Sequence, residues 1–115
     1  MQIEYEKESV GKYFKDFSLM IKKYGVERTR LIKKRVDQLK AATTFSKYLE
    51  IGLGKPHQLL ENLKGYYGVS ITGNIRLIIR PDSESLEPNI LNECDTVIIR
   101  GVLDYHGKKD EWIIS

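Results

Sequence analysis

The chain has 115 residues, of which 41% are hydrophobic and 30% charged, with a formal net charge of +3 and a single cysteine, Cys94. That length supports one domain with a modest core, and the composition excludes a disordered chain. One cysteine forms no intrachain disulfide, which fits a reducing cytoplasm; residues 1–6 lack the apolar core of a signal peptide, and no stretch approaches the ~20 apolar residues of a membrane helix.

In chain order, residues 2–5 alternate and predict a short first strand. Val10, Phe14, Phe17, Ile21 and Tyr24 then recur at spacings of four and three, which predicts one helix with a single buried face. Gly25 reads as its stop. A second helix begins near Val26 and turns Ile32, Val36 and Leu39 inward, with Arg28, Arg30, Lys33, Lys34 and Lys40 outward. Thr43 and Thr44 break that pattern, and a short irregular or helical piece runs to Ile51.

From Gly52 the character changes to turn chemistry, with Gly52, Gly54 and Pro56. Tyr67, Val69 and Ile71 alternate as a half-buried strand. Thr72-Gly73-Asn74 reads as a hairpin turn. Residues 75–80 form the next strand, stopped by Pro81, with Arg76, Ile78 and Arg80 on one side and Leu77 and Ile79 inward. Residues 81–95 hold five acids and no Lys or Arg, so the other 100 residues carry +8. This acidic segment reads as a long, mobile connection. Residues 96–105 form an apolar central strand, and Trp112-Ile113-Ile114 is an edge strand or a packed tail. A strand and helices followed by a run of strands predicts an α+β fold, with an N-terminal strand and two helices packed on a small antiparallel sheet.

The basic body suits a polyanion such as nucleic acid, although a solvated surface accounts for it equally. Asp104-Tyr105-His106 closes the central strand. Alternation sends Asp104 and His106 to one face and Tyr105 to the other unless the strand bends at Gly107. Histidine exchanges protons near neutral pH, a neighbouring carboxylate orients it, and Arg forks onto phosphate oxygens. His57 lies in the glycine-rich loop beside Lys55, and Arg76 follows the hairpin turn. Lys64, Tyr66 and Arg80 are further candidates for phosphate contact or base stacking. Each also has an ordinary explanation as a solvated or core side chain. Two histidines and one cysteine are too few for a structural zinc site, and no phosphate-binding or dinucleotide glycine motif is present. No metal or other cofactor is expected.

The order of these pieces resembles the RelE/ParE superfamily of toxins, in particular its HigB-type (killer protein) branch. The pieces are His57-Gln58-Leu59, Lys64-Gly65-Tyr66-Tyr67, Asn74-Ile75-Arg76-Leu77-Ile78 and Asp104-Tyr105-His106. Arg35-Val36-Asp37-Gln38-Leu39-Lys40-Ala41-Ala42 in the helical half is similar too. The resemblance implies a RelE-like fold over residues 1–115, with 81–95 as an acidic loop insertion and 107–115 as a C-terminal extension.

It also implies a cytoplasmic type II toxin that inhibits translation as a metal-independent, ribosome-dependent mRNA endoribonuclease. Its partners would be a cognate antitoxin, the ribosome and mRNA in the ribosomal A site, with no membrane. By position the catalytic set would be His57, Arg76, Asp104, Tyr105 and His106. Lys55, Lys64, Tyr66 and Arg80 would contact RNA. The acidic segment is expected to point away from RNA, and Trp112 could cover His106 if it packs over the sheet. Two other readings stay open: a non-catalytic ParE-like inhibitor of DNA gyrase, and an inactive RNA- or protein-binding scaffold.

Overall fold

The computed structural model describes residues 1–106 and 109–115. The chain runs β1 (Gln2–Tyr5), α1 (Glu8–Phe14), α2 (Phe17–Tyr24), α3 (Val26–Ala41), α4 (Phe45–Ile51) and β2 (His57–Gln58). A 3-10 turn (Glu61–Leu63) leads to β3 (Tyr67–Ser70) and β4 (Ile75–Pro81), followed by α5 (Pro88–Leu91), β5 (Thr96–His106) and β6 (Lys109–Ile114). The strands make one sheet in the order β1-β5-β4-β3-β2, and β6 also pairs with β5. The fold is α+β, as the element order predicts. The sheet is antiparallel except that β1 runs parallel to β5, with Gln2 opposite Thr96.

The helices cover one face. Val10, Phe14, Met20, Ile32, Val36 and Leu39 pack against Val69, Leu77, Ile79, Val97, Ile99 and Val102 from the strands. The three inward residues expected of the second helix are all buried. Thr44 caps α4, its hydroxyl accepting from the amide of Lys47 at 3.1 Å, and Gly52 ends the helix in the left-handed region.

The helix expected from Val10 to Tyr24 is two helices. Asp16 stands between them, and its carboxylate accepts from the amide of Leu19, which starts α2 afresh. The restart shifts the helical phase, so Met20 is buried at 0% and Ile21 is 40% exposed.

The acidic segment is not a loop thrown clear of the body. It contains α5, and Leu91 and Cys94 enter the core. The amide of Phe45 donates to the Cys94 carbonyl, and that of Asp82 to the Thr96 carbonyl. Ile78 also departs from the outward position expected of it and is fully buried. Its neighbour across the strands is Gly68. Over Gly68 lie the His57 ring and the Leu59 side chain, each 3.4 Å from where a Cβ would stand. The segment around β2 therefore folds over the outer face of the sheet, a long-range placement that strand alternation does not encode.

Trp112 lies on the edge strand β6 and pairs with Leu103 on this outer face. The bend anticipated at Gly107 lies outside the described residues.

Candidate functional site

Two rows of β5 present the closing tripeptide to opposite sides. Asp104 pairs with Ile75, and Val102, two residues before it, with Leu77, so Asp104 and His106 take the helix side of the sheet. Tyr105 takes the outer side with Leu103 and Arg76. Its amide donates to the carbonyl of Asn74 at 2.8 Å, which fixes the strand end against the β3–β4 turn.

His106 Nδ1 lies 3.1 Å from Asp104 Oδ1, and its Nε2 lies 3.8 Å from Glu111 Oε1 on β6. Asp104 Oδ1 is buried and makes no aligned hydrogen bond, so the first contact is a close approach rather than a hydrogen bond. The imidazole stays 47% exposed. Trp112 does not cover it: that ring stacks under Arg100 on the other face, at 4.2 Å. The carboxylate of Glu111, unremarked in the sequence, is instead what the C-terminal strand brings to His106.

Arg76 is half-engaged. Its Nη1 donates to the carbonyls of Thr72, Gly73 and Ile75 at 2.8–3.1 Å and so ties down the hairpin turn. The guanidinium also acts on Tyr105. Burial raises the Tyr105 phenol above its ordinary value, the Asp110 carboxylate raises it further, and Arg76 partly opposes both. Tyr105 is therefore a protonated donor at neutral pH. Tyr105 and Asp110 also line a cavity of about 320 Å³ with residues 58–63.

His57 is exposed on β2, its Nδ1 3.3 Å from the carbonyl of Lys55. Its row runs through Gly68 and Ile78 to Gly101. Three strand spacings separate it from β5, about 14 Å, and it lies on the face opposite His106. The structure does not bring the two histidines together. Lys55 and Lys64 are exposed on the segments flanking β2 and the 3-10 turn. Tyr67 is core, edge-on to Phe45 at 5.2 Å.

Tyr66 and Arg80 belong to a cluster on the outer face. Glu6, just beyond β1, accepts from Tyr66 Oη at 2.5 Å and from Arg80 Nε at 3.2 Å through one oxygen. Its other oxygen lies 3.0 Å from Arg100 Nε. Burial, then the Glu6 carboxylate, raises the Tyr66 phenol. Arg100 Nη1 is buried without a hydrogen-bond partner among the described residues, and the Trp112 ring meets the guanidinium instead. Neither Glu6 nor Arg100 stands out by composition. The one available signal was a lone arginine inside the apolar run of β5. Among the described residues no group of three or more His, Cys, Asp or Glu side chains is placed to hold a metal ion, and no helix is long and apolar enough to cross a membrane.

This α+β architecture recurs among solved structures. No protein-family model matches the sequence, and neither does any curated protein sequence. Solved structures do match. A YoeB-YefM complex from Staphylococcus aureus aligns at 19% identity and TM-score 0.56, covering 93% of this chain and 98% of that one. A YoeB/ParE toxin from Agrobacterium tumefaciens aligns at 17% identity and TM-score 0.57, covering 93% and 100%. A YoeB dimer from Staphylococcus aureus gives 18%, 0.53, 93% and 98%. At these identities the likeness is one of fold, and it extends over nearly the whole chain.

Proposed function

We propose that the chain is the toxin of a type II toxin-antitoxin system, and that it cuts mRNA on the ribosome without a metal. One observation carries the reading: an exposed His106, flanked by the Asp104 carboxylate at 3.1 Å, closes the central strand of a fold shared with YoeB toxin structures. The order of the four motifs adds the HigB-type branch to the proposal. The solved relatives include toxin-antitoxin complexes, which supports a cognate antitoxin as partner.

The chemistry follows from the groups at this end of the sheet. The ribose 2′-hydroxyl attacks its own phosphate, the P–O5′ bond breaks, and a cyclic phosphate and a free 5′-hydroxyl result. His106 exchanges a proton through its exposed imidazole, which lies between Asp104 on the Nδ1 side and Glu111 on the Nε2 side. RNA crossing the end of the β4–β5 pair would meet His106 on one side and Tyr105 with Arg76 on the other. Tyr105 supplies a protonated hydroxyl, and the part of Arg76 not bound to the turn faces phosphate. His57, on another row, contributes to binding along the outer face.

Primer extension on an mRNA after brief induction tests this. Cuts inside the reading frame that vanish when translation is blocked are expected. Growth arrest with no cuts and inhibited supercoiling would replace the reading with a gyrase-type binder, and neither cuts nor arrest would leave an inactive scaffold.

A further inference from the structure

The Glu6 cluster borders a cavity of about 390 Å³ whose walls include Lys64, Arg80, Ser83 and Glu84. Two cations thus share one open space with two serines and one carboxylate. Arg80 does not face that space freely, because its Nε is held by Glu6 at 3.2 Å. The Glu6 carboxylate serves two guanidiniums and a phenol at once, so the group of Glu6, Arg80 and Arg100 keeps one net positive charge. The hold on Arg80 is the most replaceable of the three. Its side chain is 34% exposed, against 18% for Arg100. If Arg80 turns away, Glu6 remains paired to Arg100 through one oxygen and to Tyr66 through the other.

A phosphate is the ligand this arrangement fits. Its oxygens accept from a guanidinium in the manner of the carboxylate already there, and Lys64 adds a point charge from the loop. We propose that Lys64 and Arg80 form a phosphate subsite in this cavity, and that Glu6 is its built-in competitor, yielding Arg80 when the anion enters. The subsite rests on the reading above for its ligand, a single-stranded RNA phosphodiester. It lies at the opposite end of the outer face from Tyr105. Glu84 opposes any anion there, so the acidic segment, expected to avoid RNA, sets the strength of this site.

The test is binding of a 2′-O-methylated oligoribonucleotide, which has no free 2′-hydroxyl and is not cut, followed by fluorescence anisotropy, with inorganic phosphate titrated in parallel by NMR. Glu6→Gln is expected to tighten oligonucleotide binding about two- to fivefold, the strength of a displaced, partly exposed ion pair. Arg80→Met and Lys64→Met are expected to weaken it and each to reduce the salt slope by about 0.7. Unchanged or weaker binding by a Glu6→Gln protein that melts normally would overturn the competitor role. If that variant does not fold, Lys64→Met decides, since Lys64 is exposed on a loop; unchanged binding there would overturn the subsite. Binding of free phosphate without the oligonucleotide would keep the subsite and overturn RNA as its source. Because His106 takes no part here, this pattern in a protein that never cuts mRNA would keep the subsite while removing the nuclease reading, and cutting without the pattern would do the reverse.

Discussion

Asp104 and His106 stand on one side of β5 with Oδ1 and Nδ1 3.1 Å apart, while Tyr105 between them turns to the other side. The imidazole is nearly half exposed and packs into no core, so His106→Ala should leave the melting temperature within a degree or two of the parent. Cleavage in the primer-extension assay should fall at least a hundredfold. Asp104→Asn keeps the shape and removes the charge, and a loss of about tenfold or more is expected. Full activity in both variants would remove this pair from the chemistry.

Arg76 needs a different design. Its Nη1 holds three carbonyls of the hairpin turn, so Arg76→Ala should cost stability of about 1–2 kcal/mol besides any effect on RNA. Urea denaturation measures the first effect, and cleavage by the folded fraction measures the second. A variant as stable as the parent would contradict the turn-clamping role.

Gly101 stands where a bulge leaves Arg100 unpaired between Ile78 and Ile79 of the neighbouring strand. Its φ is +152°, and a Cβ there would lie 2.1 Å from the carbonyl oxygen of Ile114. Gly101→Ala must push β6 off β5, with an expected cost of about 3 kcal/mol or more. Faster hydrogen exchange at Trp112 and Ile114 would locate the damage. A substitution that leaves both stability and exchange unchanged would refute the packing described.

Tyr48 sets an alkaline limit. Burial pushes its phenol up to about 12, and the neutral hydroxyl donates to the carbonyl of Leu53 at 2.9 Å. The folded value lies above the unfolded one near 10, so its contribution is complete below pH 10. It is lost as pH rises from about 10 to about 12, by up to about 2 kcal/mol. Tyr48→Phe should flatten that part of the stability curve, measured by urea unfolding at pH 9 and pH 11. An unchanged slope would assign alkaline unfolding to other tyrosines.

What the residues disclosed depended on the range of the interaction. Ile32, Val36 and Leu39 declared a helix face by spacing, and Thr72-Gly73-Asn74 declared a hairpin, because both are local. The break at Asp16 was also local, but the continuing apolar period on both sides of it masked the cap. Ile78 could not be placed, because its cross-strand neighbour Gly68 is overlaid by Leu59 and His57, which reach that row only through strand pairing. The same holds for the site. Asp104 and His106 share a face by alternation alone, whereas Glu111 reaches His106 through the β5–β6 register, and Glu6 reaches Arg100 because β1 lies beside β5.

The parallel pairing of Gln2 with Thr96 has a consequence for biosynthesis. The strand at the centre of the sheet, β5, is translated after β1, β2, β3 and β4 and after the helices, and the first strand must wait for it. While residues 96–106 are still inside the ribosomal exit tunnel, β1 has no strand partner and one edge of β4 stays unpaired. Closing so long a loop is slow relative to helix formation. The nascent chain is therefore helical at its front and carries only the β2-β3-β4 part of the sheet behind. The end of β5 that carries His106 cannot be in place until residues 96–106 have left the tunnel.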